Sequence, residues 1–181
     1  MTIACLAWGS LVWDPRELPI EGDWLLDGPE LEVEFLRQSE NGRITLVLAP
    51  SAVTVTSLWV KLSTNDLTSG VKSLAEREGI NSHNESKYIG HWSVGEQEPT
   101  LIHGLPAWAL SNAIAHVIWT SLPPKFNGQL ISATSQQIVK YLESLAGETR
   151  ERAEQYIRMT PKQIQTKYRR DIEGHLNWTS R

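Results

Sequence analysis

Cysteine is nearly absent. The one thiol in 181 residues, Cys5, sits inside an apolar run, so no internal disulfide can form and no cysteine-based metal cluster is on offer. Long hydrophobic runs are missing as well. Nothing approaches the roughly 18 apolar residues of a membrane-spanning helix, and the N-terminus lacks the basic region of a secretory signal. A cytoplasmic protein without a membrane partner is the expectation. Positive charge is in deficit: 17 Lys and Arg stand against 21 Asp and Glu, a formal charge of −4, which argues against a protein built mainly to bind nucleic acid. The five histidines show no spacing that a metal site would require. Internal repeats, low-complexity tracts and linkers long enough to divide the chain are missing too.

What remains is an ordinary globular balance, 40% hydrophobic and 21% charged, enough for a real core. Eight tryptophans are more than one core readily absorbs, so some indoles are expected at the surface or along a pocket. Charge is unevenly spread. From Glu148 onward eight Lys and Arg face five Asp and Glu, a net +3, whereas residues 1–147 carry nine and sixteen, a net −7.

The first apolar run, Ile3 to Trp8, stops at Gly9-Ser10. It reads as a strand buried on both faces that opens into a turn. Backbone N–H groups at Gly9, Ser10 and Leu11 would have no strand partner there, and such groups can hold an anion. Further on, Leu31, Val33, Phe35 and Arg37 alternate with Glu32, Glu34, Leu36 and Gln38, and a second alternating run follows Asn41-Gly42. Asn-Gly between two such runs predicts a tight hairpin with φ > 0 at both turn residues. Folding there would pair Phe35 with Leu48, Arg37 with Leu46 and Ser39 with Ile44. Arg37 would then share a face with Phe35 and Leu46 and need an acceptor, either a carboxylate of the protein or one on a ligand.

A strand over Val53 to Leu62 precedes a helix predicted from Thr64 to Glu78, with Ser63 as N-cap and Gly79 just past its end. Gly70 is an internal weakness of that helix. Leu67, Val71, Leu74 and Ala75 form its apolar stripe. Glu78, eleven residues after Leu67, returns to within about 20° of it. A carboxylate is thus expected on the core side at the negative end of the helix, where burial and the helix dipole would both raise its pKa. Local preference opposes such a placement, and violations of that kind gather at functional sites. Lys87 to Trp92 is read as a short strand, Pro106 to Asn112 as a short helix, and Ile114 to Leu122 as a buried strand. Three helices follow. The first is closed by Gly147, the second ends at Pro161, and the third starts there and carries Lys167, Arg169 and Arg170 on its other faces.

Two stretches together resemble the gamma-glutamylcyclotransferase-like superfamily. Trp8-Gly9-Ser10-Leu11 is similar to the family's strand ending in Tyr-Gly-Ser, and Leu74-Ala75-Glu76-Arg77-Glu78-Gly79 to its Leu-Asp-x-x-Glu-Gly helix end, with a similar spacing over residues 3–90. Trp8 stands where the family has Tyr, and Ala75 where it has Asp. The resemblance implies an α+β fold, a mixed β-barrel with flanking helices over residues 1–130, and a helical extension over 131–181 packed on the same domain. It implies Glu78 as general base, and substrate binding by Trp8, Gly9, Ser10 and Leu11, with Arg37 and Tyr88 added to that set. The reaction would be cyclisation of a γ-glutamyl amine or related amide to 5-oxoproline, with no metal or organic cofactor. The expected partner is a small molecule bearing a carboxylate, and nothing in the chain speaks to its oligomeric state. Two further readings stay open: a non-catalytic small-molecule-binding or regulatory module of the same fold, and an RNA-associated protein using Lys167, Arg169 and Arg170.

Overall fold

A computed structural model describes residues 1–180; Arg181, the last residue of the expected 131–181 extension, lies outside the described residues. In chain order the first strands are β1 (Ile3–Ala7), β2 (Ile20–Leu25), β3 (Glu30–Leu31), β4 (Val33–Gln38) and β5 (Ile44–Leu48). The rest are β6 (Val55–Thr56), β7 (Leu58–Leu62), β8 (Ile89–Ser93), β9 (Ile102–His103) and β10 (His116–Thr120). The helices are α1 (Leu67–Glu78), α2 (Glu85–Tyr88), α3 (Leu105–Ser111), α4 (Ser135–Ser144), α5 (Gly147–Met159) and α6 (Lys167–Leu176). The class is α+β, as expected, but the expected barrel is not formed. Closure needs two neighbours for every strand. Here the strands make separate sheets of five, three and two, and the largest ends at β2 and β8, each paired on one side. No helix among the described residues is long and apolar enough to cross a membrane.

The chain packs as two compact units. One comprises residues 1–31 and 56–122, the other residues 32–55 and those from Pro123 onward, an interleaving that no single cut produces. In the first unit the sheet order is β2-β7-β1-β10-β8. The central strand β1 runs parallel to β10 and antiparallel to β7, with Cys5 opposite Ile118 on one side and Val60 on the other. All five of its residues are buried, which is why the run from Ile3 carries no charge. Helix α1 packs on this sheet. A Cβ added at Gly70 would already touch Leu62, Ile3 and Ile118, at 3.4–3.8 Å, so the glycine brings the helix close to the strands and is no mere weakness. The helix starts at Leu67, later than expected, because Asp66 rather than Ser63 caps it, accepting from the Ser69 amide at 2.8 Å. Its end is as expected: Gly79 takes φ 70° and its amide bonds the last carbonyls. The strand expected from Lys87 begins instead at Ile89, after the short helix α2.

The second unit holds the hairpin β4–β5 and helices α4 to α6. Its register departs from expectation: Val33 faces Leu48, Phe35 faces Leu46, Arg37 faces Thr45 and Gln38 faces Ile44, with an irregularity between Phe35 and Arg37. The cause is the turn. Ser39 N donates to Arg43 O at 2.8 Å and Gly42 N to Ser39 O at 3.0 Å, so the loop has three residues and only Gly42, at φ 81°, is left-handed. Both faces of β4 are buried from Val33 to Leu36. Glu34, which alternation places on the polar face, is therefore 4% exposed. Its Oε1 accepts from Phe35 N (2.9 Å) and Thr166 Oγ1 (2.5 Å), and its Oε2 from Tyr168 N (3.2 Å). Of these, the Tyr168 amide is a donor left open at the start of α6.

That helix begins at Lys167, capped by Thr166, and not at Pro161; likewise Gly147 opens α5 instead of closing α4. Arg169 explains the delay. It is fully buried, with Nε on Glu173 Oε1 (2.9 Å), Nη1 on the carbonyls of Pro161 (2.7 Å) and Ile164 (2.8 Å), and Nη2 on the Thr160 carbonyl (3.0 Å) and Ser180 Oγ. It gathers the acceptors of the irregular 160–166 segment, so the solvated basic face expected there loses its middle member. Lys167 and Arg170 remain exposed.

Two outcomes follow for solution measurements. Arg169→Met keeps apolar bulk but strands buried carbonyls and Glu173, and should cost about 3 kcal/mol or more in urea unfolding; a loss under about 1 kcal/mol would show those bonds to be dispensable. For Glu34, burial raises the carboxyl pKa, against the opposing pull of the Thr166 hydroxyl and the Phe35 and Tyr168 amides. A raised native value means that the fold favours the protonated form. Its contribution is complete below the ordinary glutamate value of about 4.3 and is lost as pH rises through the native one. Stability should fall over that window in the wild type and fall less in Glu34→Gln; equal slopes would refute the assignment.

Candidate active site

The loop after β1 is a hydrogen-bonded turn. Val12 N donates to Gly9 O at 3.0 Å and Asp14 N to Ser10 O at 2.9 Å. The first amides of such a turn have no partner within it, and those of Gly9, Ser10 and Leu11 donate to no acceptor among the described residues. The side chains of Trp8 and Leu11 are buried, Leu11 in the same apolar cluster as Cys5, Leu74 and Ala75. Only the backbone and Ser10 are thus offered by this loop.

Glu78, on the last turn of α1, has 17% of its side chain exposed. Its Oε1 is engaged twice, by Arg77 Nη1 at 2.7 Å and by Thr120 Oγ1 at 3.2 Å, while its Oε2 has no partner among the described residues. Arg77 lies about 80° from Leu67 on the helix wheel, at the edge of the apolar stripe, and its side chain is only 5% exposed. Its Nε and Nη2 both reach the Asp14 carbonyl, at 3.0 and 2.6 Å, and Nη2 also donates to Ser10 Oγ at 3.4 Å. Ser10 and Glu78 therefore bracket one guanidinium. Arg16, in the left-handed region at φ 51°, donates from Nη1 to the Arg77 carbonyl at 3.0 Å and from Nε to Asp14 Oδ2 at 3.3 Å. Cys5 is buried in the apolar cluster with Leu11 and Leu74: burial pushes its thiol pKa far up, the Glu78 charge adds to the rise, and Arg77 opposes it.

Of the residues singled out in the sequence, Gly9, Ser10, Leu11 and Glu78 come together around Arg77. Tyr88 ends α2 with the Lys87 ammonium 5.0 Å from its ring centre, and its carbonyl accepts from Ser121 N at 2.7 Å, next to the Thr120 that holds Glu78. Arg37 belongs to the second unit, where its Nη1 donates to the Pro123 carbonyl at 2.7 Å. Glu78 Oε1 is held by Arg77 and Thr120. Neither had been singled out. The legible signal for Thr120 is its place at the end of a buried strand before Pro123-Pro124; for Arg77 it is a charge bordering an apolar stripe. Among the described residues no three metal-ligating side chains gather.

No family model and no curated protein sequence matches the chain. Among solved structures, a yeast gamma-glutamyl cyclotransferase specific to glutathione shares the fold, with a TM-score of 0.53 and 14% sequence identity over 98% of each chain.

The buried thiol supplies a direct check of this geometry. A raised pKa leaves almost no thiolate at pH 8, and thiolate is the reactive form. Cys5 should resist a thiol-specific disulfide reagent in the native protein and react at once in denaturant; fast labelling of folded protein would show that the apolar cluster around it does not stay closed.

Proposed function

We propose that the chain is a cofactor-free enzyme of the gamma-glutamylcyclotransferase type with Glu78 as its general base. The observation that carries this reading is the asymmetry of the Glu78 carboxylate. Oε1 is fixed by Arg77 and Thr120, and Oε2 is left to accept a proton, beside a loop whose amides are also unengaged. The shared fold with a glutathione-specific cyclotransferase supports it.

The substrate would present an α-carboxylate to the amides of Gly9, Ser10 and Leu11, with Tyr88 completing its surroundings. Glu78 takes a proton from the α-ammonium, and the freed amine attacks the substrate's own γ-carbonyl carbon. The attacking nitrogen gives its second proton to solvent, the tetrahedral intermediate collapses as the C–N bond to the leaving amine breaks, and Glu78 returns its proton to that amine. The products are 5-oxoproline and the free amine. Because the attack is intramolecular, the protein has chiefly to orient one chain and move one proton. A cytoplasmic setting, which keeps Cys5 a thiol, belongs to the same reading. Trp8 favours a second reading, a non-catalytic small-molecule-binding or regulatory module, since an indole there offers the substrate no hydroxyl.

Incubation with glutathione and with γ-glutamyl amines separates the two. Release of 5-oxoproline is expected from the wild type, with a fall of about 10²-fold or more in Glu78→Gln. Equal turnover by both proteins would remove Glu78 as the base; no turnover by either would favour the binding module.

A further inference from the structure

Two arginines, one on each segment, tie the 9–16 loop and the end of α1 together. From the last turn of α1, Arg77 sends Nε and Nη2 to the carbonyl of Asp14; from the loop, Arg16 sends Nη1 back to the carbonyl of Arg77. The two segments are far apart in sequence, so neither could set the other's position through local structure. A guanidinium has five N–H donors. The Arg77 group makes four hydrogen bonds, two to Asp14 O and one each to Ser10 Oγ and Glu78 Oε1, which leaves it little capacity to bind a substrate. Arg16 keeps a left-handed backbone that a residue with a Cβ adopts at a cost. Such conformations persist where the surroundings over-determine them, and here the surroundings include the Arg77 carbonyl and Asp14.

We propose that Arg77 and Arg16 form a reciprocal clasp that locks the 9–16 loop to Glu78, making Arg77 the positioning residue of this site. The proposal rests on the reading of Glu78 as the base. Its consequence is geometric: the amides that would hold the substrate carboxylate and the oxygen that would take its proton are set by the same guanidinium, so they are presented together. Lysine could not do this, because one ammonium lacks the planar fork that meets Asp14 O and Glu78 Oε1 at once.

The test uses Arg77→Lys and Arg16→Asn in the full chain, the second because asparagine tolerates the left-handed region and the Arg16 side chain is largely exposed. With glutathione as the probe, Arg77→Lys should lower kcat by about 10- to 100-fold, the scale of a misplaced catalytic group. Arg16→Asn should act mainly by raising KM severalfold, about 3- to 10-fold, through a loosened loop. Amide hydrogen exchange gives a readout that needs no turnover. In both variants the amides of Val12 and Asp14 should exchange faster, while those of β1 and β7 stay as in the wild type. Unchanged exchange at Val12 and Asp14 overturns the clasp, and full activity in Arg77→Lys overturns the positioning role. If the wild type turns nothing over, the enzymatic reading falls alone and the exchange result decides the clasp. Should Arg77→Lys fail to fold, Arg16→Asn carries the same exchange test.

Discussion

A guanidinium taken out of water must meet acceptors in several directions, and that requirement organises both units of this protein. In the first, Arg77 is met by a loop carbonyl, a serine hydroxyl and the neighbouring Glu78. In the second, Arg169 is met by three carbonyls of an irregular segment and by Glu173. In each case the arginine projects from a helix end and fixes a non-repetitive stretch that has no ladder of its own. Leaving either guanidinium without its acceptors would bury an uncompensated charge, so the irregular segments have little freedom to rearrange.

The fold places these demands where chemistry can use one of them. β1 lies at the centre of its sheet with no exposed residue, and its end at Ala7 delivers the chain into a turn with open amides. α1 lies on the same sheet, brought close by Gly70, and its last turn delivers Glu78. Strand and helix thus bring together two groups that are distant in sequence, one suited to a carboxylate and one to a proton. A yeast cyclotransferase shares this framework at 14% identity. A sheet and helix of this geometry tolerate wide changes of sequence as long as their faces stay apolar, whereas the site depends on a few polar atoms.

How far these features were legible differs with the range of the interaction. The end of α1 was readable from Glu78-Gly79, because a left-handed C-terminal residue is a local matter. Asn41-Gly42 announced a hairpin, yet the register was off because a three-residue loop and a two-residue loop can both be built on that pair. Alternation put Glu34 in water and was overridden, since β4 is covered on both faces. The barrel was expected from family resemblance alone, and separate open sheets stand in its place.

By itself, the sequence determined the apolar strand from Ile3, the turn at Gly9-Ser10, the amphipathic α1 and the inward side of Glu78. All four depend on neighbours within a few residues, where periodicity and backbone preference act. Only the tertiary structure decided that Arg77 faces inward with Glu78, that Thr120 bonds the same oxygen, and that Arg169 leaves the solvent. Each of these depends on acceptors that lie elsewhere in the chain or on backbone outside regular structure. A charged side chain carries no mark in sequence of whether such acceptors will come within 3 Å of it.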